Sequence, residues 1–290
     1  MSDTSERVPP RLGPGGQPES IDGVEIDCLA LPRQMDRFRR SDTPSPEALR
    51  HLPGLQAVLT WAEGALARWQ PGSEPLVADL AALDDRSRAE LNDILGEGEV
   101  SLTFHDGYQA QAQESVYPGI WRILILDAQG QVSRDLLEVG DVPFLARRTD
   151  AGQGEGPPLA GHEPPPGVMN APALLTELDE ALRRWQPGRP AHAINLSLLP
   201  LSEAGRDFLA QVLGEGPVRI LSRGYGQCRI DSTAWPHIWR VRYYNSSERL
   251  ILDTLEVGDV PLVACAAPED LADSRQRIDA LLAPYRESIW

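Results

Sequence analysis

Two stretches of this chain, residues 55–146 and 171–264, repeat each other. Both contain Arg-Trp-Gln-Pro-Gly, then Leu-Gly-Glu-Gly, and then Leu-Glu-Val-Gly-Asp-Val-Pro. The copies lie 116 positions apart at the first motif and 118 apart at the other two, which indicates one insertion of two residues. The pattern predicts a duplicated module. Features common to both stretches are then expected to serve the shared fold, and features of one stretch become candidates for function.

Each stretch predicts the same α+β unit, with two helices packed on one face of a mostly antiparallel sheet. Apolar residues at helical spacing lead to Trp69 and Trp185, and Pro-Gly then ends each helix. A short strand is predicted next, over residues 76–80 in the first stretch and 193–198 in the second. Asp84 and Ser202 are the predicted N-caps of a second helix, which the glycines of Leu-Gly-Glu-Gly end. Four alternating segments follow, and the turn residues between them suit an antiparallel meander. In the first stretch the predicted strands cover residues 100–104, 109–115, 120–126 and 132–139. The Leu-Glu-Val-Gly-Asp-Val-Pro motif is expected to close the last strand.

Composition divides the chain into six segments. They are a head expected to be disordered (1–20), an N-terminal extension (21–54), the first repeat (55–146), a linker rich in Pro and Gly (147–170), the second repeat (171–264) and a C-terminal helix (265–290). The head and the linker contain too few apolar residues to build a core, so they are not expected to fold by themselves.

The net charge of −16 is unevenly distributed. Residues 55–146 carry 15 acidic and 5 basic side chains, whereas residues 171–264 carry 11 and 10. Because a strongly acidic chain repels phosphate groups, the composition argues against binding to nucleic acid or to an anionic membrane surface. A positively charged partner suits the first stretch better.

Neither a membrane span nor an export signal is predicted. No apolar run approaches the roughly 18 residues of a transmembrane helix, and residues 1–20 are polar. The chain is therefore expected in the cytoplasm. Its three cysteines, Cys28, Cys228 and Cys265, are expected to be reduced thiols, since they form no close pair.

No catalytic signature is present, so the chain is not expected to be an enzyme or to hold a cofactor or metal. It lacks a Gly-x-Ser-x-Gly elbow, a His-Glu-x-x-His helix and a P-loop. The Leu-Gly-Glu-Gly motif leaves a helix and enters a strand, which is the reverse of the order that a phosphate-binding glycine loop requires. The five histidines are scattered.

The most asymmetric segment is Ser-Arg-Gly-Tyr-Gly-Gln-Cys-Arg-Ile-Asp-Ser-Thr, residues 222–233. In a binding surface at this predicted hairpin, the tyrosine would anchor a partner, the arginines would pair with carboxylates, and the thiol would face a sulfur or metal. The alternative is a plain turn with Cys228 as a small buried apolar group. The predicted partner-binding residues are Arg223, Gly224, Tyr225, Gly226, Cys228, Arg229 and Trp235.

Five sequence blocks carry a family resemblance. They span residues 31–40, 213–218, 222–230, 239–246 and 250–257, and include Leu-Pro-Arg-Gln-Met-Asp-Arg-Phe-Arg-Arg and Trp-Arg-Val-Arg-Tyr-Tyr-Asn-Ser. In combination they resemble the HupH/HyaF/HoxQ family of hydrogenase expression and formation proteins. The resemblance implies a maturation chaperone that acts on the iron–sulfur small subunit of an uptake NiFe hydrogenase before assembly and twin-arginine export. It also implies a thioredoxin-like partner of the HupG/HyaE/HoxO kind.

The acidic first stretch suggests how such a client is attracted. We expect it to draw in the arginine-bearing signal segment, while the hairpin of the second stretch lies near the cluster-bearing region. The residues predicted to provide this attraction are Glu97, Glu99, Asp106 and Glu114. A competing hypothesis is a protein that carries and delivers a metal or iron–sulfur cluster, with Cys228, Cys265 and His237 as ligands.

Overall fold

The computed structural model describes residues 51–148, 158–224 and 227–286, which form five α-helices and ten β-strands. The elements of the first stretch are α1 (Pro53–Arg68), β1 (Leu76–Asp79), α2 (Asp85–Leu95), β2 (Val100–Asp106), β3 (Tyr108–Glu114), β4 (Ile120–Leu126) and β5 (Val132–Val139). Those of the second are α3 (Ala171–Arg184), β6 (His192–Asn195), α4 (Glu203–Leu213), β7 (Val218–Ser222), β8 (Gln227–Ser232), β9 (Ile238–Tyr244) and β10 (Leu250–Val257). The last element is α5 (Pro268–Arg286).

All ten strands belong to one sheet with the order β1-β5-β4-β3-β2-β7-β8-β9-β10-β6. Every neighbouring pair is antiparallel, and the α+β class is confirmed. The two stretches meet at the centre, where β2 pairs with β7 from Val100 opposite Ser222 to Phe104 opposite Val218. Backbone hydrogen bonds therefore run across the junction between them.

Local sequence signals explain where α2 and α4 begin and end. The side chain of Asp84 accepts a hydrogen bond from the N–H of Ser87 at 2.9 Å, and that of Ser202 accepts one from Gly205 at 3.1 Å, which confirms both predicted N-caps. Each helix ends at a glycine with positive φ, 57° at the first and 60° at the second. The Leu-Gly-Glu-Gly motif thus ends a helix in both stretches.

Three apolar clusters stabilise the sheet, two on one face and one on the other. The first helix cluster joins α1, α2 and α5 to Ile120 and Leu137, and the second joins α3 and α4 to Ile238 and Leu255. We call the face with these clusters the helix-bearing face. Because neighbouring residues of a strand point to opposite faces, Trp121 and the other members of the central cluster lie on the opposite face.

Part of the segment predicted as a linker packs against the fold. Leu159 is fully buried in the second helix cluster, where a 3₁₀ turn (Leu159–Gly161) lies beside α3. A composition poor in apolar residues does not prevent a single leucine from packing against a neighbouring helix. The strand predicted after α3 is also shorter than expected, since its last part is a 3₁₀ turn (Leu196–Leu198).

Several predictions concern residues outside those described. They are the disordered head, the N-terminal extension up to residue 50, residues 149–157 of the linker, and Tyr225 and Gly226 of the predicted hairpin. Across the described ranges, the helices are too short or too polar to cross a bilayer.

Candidate functional site

The structure brings together one residue from each predicted set, the acidic residues of the first stretch and the hairpin residues of the second. At the end of β7, the backbone N–H of Arg223 donates to the carbonyl oxygen of Glu99 at 3.0 Å. The carboxylate of Glu99 lies so close to Gly224 that any Cβ atom at that position would collide with it. Glu99 and Arg223 are both exposed. An acidic and a basic side chain are thus available to a partner at this edge of the β2–β7 junction.

The other acidic residues do not form one continuous patch. Glu97 is exposed in the connection before β2, whereas Asp106 is exposed at the far end of that strand. A strand rises about 3.3 Å per residue, so the length of β2 separates the two ends by about 20 Å. An extended segment of a client could contact both, but a compact group could contact only one.

Glu114 differs from the other three because it is buried, with 6% of its surface exposed. Burial raises the pKa of Glu114 to about 7. Hydrogen bonds from the backbone of Gly119 and Val100 lower this pKa, whereas the charge of the nearby Glu99 raises it further. The carboxyl is therefore only partly ionised at neutral pH. It adds less to the surface charge than its sequence position suggested.

The remaining predicted residues of the second stretch are held within the fold. Cys228 is 4% exposed and belongs to the central cluster, and burial raises the pKa of its thiol to about 12. Arg229 donates from Nε to Oδ2 of Asp231 at 2.9 Å. Trp235 is half-buried and donates from Nε1 to the carbonyl oxygen of Val212 at 3.0 Å.

The ligands named for a metal or cluster carrier are not brought together. Cys228 belongs to the central cluster and Cys265 packs against it, whereas His237 stacks on Trp185 of the second helix cluster with 3.6 Å between ring centroids. Within the described ranges, no three His, Cys, Asp or Glu side chains are placed to hold a metal ion. No observation on these residues favours the carrier hypothesis.

The loops that follow β5 and β10 connect the two stretches on the side of the central cluster. Arg147 lies 3.0 Å from Oδ2 of Asp141 in its own loop and 3.9 Å from Oδ2 of Asp259 in the other. Each of these aspartates also accepts a hydrogen bond from the next backbone N–H at 2.9 Å. The aspartate of the Leu-Glu-Val-Gly-Asp-Val-Pro motif therefore organises a turn in both stretches, as the repetition of the motif predicted.

Sequence reasoning missed a group of charges on β7, β8 and β9. The guanidinium groups of Arg219, Arg229 and Arg242 all bind the carboxylate of Asp231, and we call these four residues the arginine cluster. A comparison of the two stretches at a spacing of 118 could have found it. The matching residues are uncharged: Ser101, Gln111, Leu124 and Gln113.

Comparison with known protein families identifies the class of protein to which these features belong. The family model described as HupH hydrogenase expression protein, C-terminal conserved region, matches residues 54–154 and 168–285. The chain is a member of this family of hydrogenase expression proteins, which confirms the resemblance seen in the sequence blocks.

Individual relatives extend the match over nearly the whole chain. Hydrogenase expression/formation protein HoxQ of Azotobacter vinelandii is 44% identical over 280 residues, 96% of this chain and 97% of that protein. HoxQ of Cupriavidus necator is 43% identical over 274 residues, which cover 93% of this chain and 94% of that protein. Hydrogenase-1 operon protein HyaF of Escherichia coli is 36% identical over 275 residues, which cover 92% of this chain and 93% of that protein. A solved structure of hydrogenase expression protein HupH from Thiobacillus denitrificans is 30% identical and covers 39% of this chain and 95% of that one, with a TM-score of 0.37.

Proposed function

We propose that this protein is a hydrogenase maturation chaperone, which binds the iron–sulfur small subunit of an uptake NiFe hydrogenase before assembly and twin-arginine export. The observation that carries the proposal is the similarity to proteins named for hydrogenase expression and formation, at 36% identity or more over at least 92% of this chain in the relatives described above. A chaperone binds its client through surface groups and needs no reactive centre of its own. The absence of a catalytic motif from the sequence is compatible with that role.

The site of client binding is proposed to include the end of the β2–β7 junction. Glu99 is exposed there beside Arg223, and Glu97 is exposed two residues earlier in the chain. We propose that the acidic residues attract the arginine-bearing signal segment of the client. Such attraction between exposed charges extends over a Debye length of about 8 Å at physiological ionic strength and weakens as salt is added.

Co-purification with a tagged hydrogenase small subunit tests the client. The full chain should be captured by the tagged small subunit and not by a tagged large subunit. Equal capture by both subunits, or by neither, contradicts the proposal. The twin-arginine part is tested with a small subunit from which the signal segment has been deleted, since this client should be captured less well.

Charge-neutral variants test the acidic surface in the same assay. Glu97→Gln combined with Glu99→Gln should reduce capture at low salt, and the difference from the wild type should shrink at high salt. Glu114→Gln is the matched control, because that carboxyl is buried. If capture is the same at low and high salt for every variant, electrostatic attraction is not the mode of binding. Tyr225→Ala examines the predicted hairpin anchor.

A further inference from the structure

The arginine cluster places more positive than negative charge on one part of the helix-bearing face. Asp231 accepts from Nε of Arg219 at 2.8 Å, from Nε of Arg229 at 2.9 Å and from Nη2 of Arg242 at 2.5 Å. Three guanidinium groups therefore share one carboxylate. Two positive charges remain without a negative partner, in a chain whose net charge is −16.

The neighbouring ion pair does not remove this excess. Asp253 lies opposite Arg242 in the strand register, but it accepts its side-chain hydrogen bonds from Arg240, at 3.0 and 2.7 Å. Arg240 and Asp253 thus form a pair that is neutral as a whole. The same pair recurs in the first stretch as Arg122 and Asp135, so it serves the shared fold.

Several donors of the arginine cluster have no acceptor among the described residues. A guanidinium group has five N–H donors in one plane. The bonds to Asp231 use Nε of Arg219 and Nε of Arg229, so the Nη groups of both side chains are left over. Nε of Arg242 is buried and has no hydrogen-bond partner. A buried donor without an acceptor is unfavourable, so the fold tolerates a destabilising arrangement at this cluster.

The cluster is accessible but only partly hydrated. Side-chain exposure is 43% for Arg219 and 17% for both Arg229 and Arg242. They lie on strands β7, β8 and β9, and none of them belongs to the first or the second helix cluster. A ligand can therefore reach Arg219 from solvent and contact the two more buried groups, where reduced screening strengthens its interaction with charge.

The fold does not need these charges. The corresponding strands of the first stretch have the same antiparallel pairing, with uncharged residues at the matching positions. The ordinary reasons for an arginine on a sheet, such as a cross-strand ion pair, would require one arginine for one aspartate. In the first stretch two arginines, Arg88 and Arg122, bind Asp135, whereas three arginines on one aspartate occur only in the second stretch among the described residues.

We propose that the arginine cluster is a carboxylate-binding site, which receives an acidic side chain or a chain end of a partner protein. A planar carboxylate accepts two parallel hydrogen bonds from a guanidinium group, so it fits the unused donors of Arg219 and Arg229. Nucleic acid fits poorly, because its many phosphates would meet the repulsion of a strongly acidic chain. The inference does not depend on the identity of the hydrogenase client.

Isothermal titration calorimetry with short peptides tests the proposal on the full chain. The probe is Gly-Gly-Glu-Glu-Gly-Gly, acetylated and amidated, and the control peptide has glutamine in place of glutamate. A third peptide, all glycine with a free carboxyl end, distinguishes a chain end from a side chain as the source of the carboxylate. The wild-type protein should bind at least one carboxylate peptide and should not bind the glutamine peptide.

Arg219→Gln is the informative variant, since Arg229 and Arg242 still hold Asp231 when it is made. It should weaken binding by about tenfold, as expected when a hydrogen bond between charged groups is lost. Arg183→Gln makes the same change of net charge on the exposed face of α3 and should leave binding unchanged. An equal loss in both variants, the absence of binding by the wild type, or displacement of the peptide by an equal concentration of inorganic phosphate would each overturn the proposal.

Discussion

Gly119 lies directly beneath Leu271 of α5. A Cβ atom built on Gly119 would be 2.5 Å from Cγ of Leu271, and the glycine has a φ of 82°. The carbonyl oxygen of the preceding Pro118 accepts a hydrogen bond from Ser274 of α5 at 2.9 Å. The matching residue of the second stretch is His237, which has a φ of 63° and contacts Trp185 instead. A glycine is therefore required only where α5 packs.

Gly119→Ala is expected to destabilise the protein by about 2–4 kcal/mol, because a Cβ adds backbone strain and displaces Leu271. The matched control is Gly130→Ala, which has a φ of 75° and open space around the new Cβ. It should cost only the strain of the left-handed conformation, about 1 kcal/mol. Urea unfolding of both variants measures the difference. Equal losses would show that contact with α5 contributes nothing.

Glu138 is expected to make stability decrease as pH rises. It is fully buried, its Oε1 accepts from the N–H of Phe144 at 2.7 Å, and its Oε2 has no partner. Burial raises the pKa of Glu138 from its ordinary value of 4.5 to about 8. The folded protein keeps the proton that the unfolded chain releases above its own pKa. The contribution of protonated Glu138 to stability is thus complete below the ordinary pKa of 4.5 and is lost as pH rises through the pKa of the folded state. The loss is roughly 1.4 kcal/mol per pH unit at most.

The variant Glu138→Gln removes this titration while keeping an acceptor for Phe144. Its stability relative to the wild type should rise as pH increases between 4.5 and 8, as measured by urea unfolding at several pH values. Glu97→Gln, at an exposed position, should follow the wild-type profile. Parallel profiles for Glu138→Gln and the wild type would show that the buried carboxyl does not retain its proton.

Asp135 should be one of the more costly charges to remove. It is 8% exposed and accepts from Nη2 of Arg122 at 2.5 Å as well as from Arg88. Asp135→Asn leaves two arginines without their carboxylate, for which we expect a loss of about 3–5 kcal/mol. Glu180→Gln breaks the exposed pair with Arg184 and should cost less than about 1 kcal/mol. Comparable losses in thermal unfolding would contradict the assigned burial.

The two described thiols should react slowly in the folded protein. Burial raises the pKa of both Cys228 and Cys265 to about 12, so almost no thiolate is present at neutral pH. In a Cys28→Ser variant, Ellman's reagent should label neither residue rapidly, and guanidinium chloride should release both. Rapid labelling before unfolding would support the metal-carrier hypothesis, because thiolates are the form that binds metal.

Local patterns predicted the individual elements well. Both β4 and β5 have the predicted bounds, and the caps at Asp84 and Ser202 were readable because each is a contact within four residues. The clustering of the candidate site residues was harder to predict. Cys228 and Arg229 are neighbours in a strand, yet one faces the central cluster and the other the arginine cluster, since side chains alternate along a strand.

The sequence by itself determined the α+β class, the duplicated order of motifs and the family, because periodicity, capping and short motifs are local properties of the chain. Tertiary structure alone decided that β2 pairs with β7, that α5 packs on the first stretch, and that three arginines converge on Asp231. These arrangements depend on pairings between residues far apart in the chain. The order and register of strands bring such residues together, and neither leaves a local pattern that can be read beforehand.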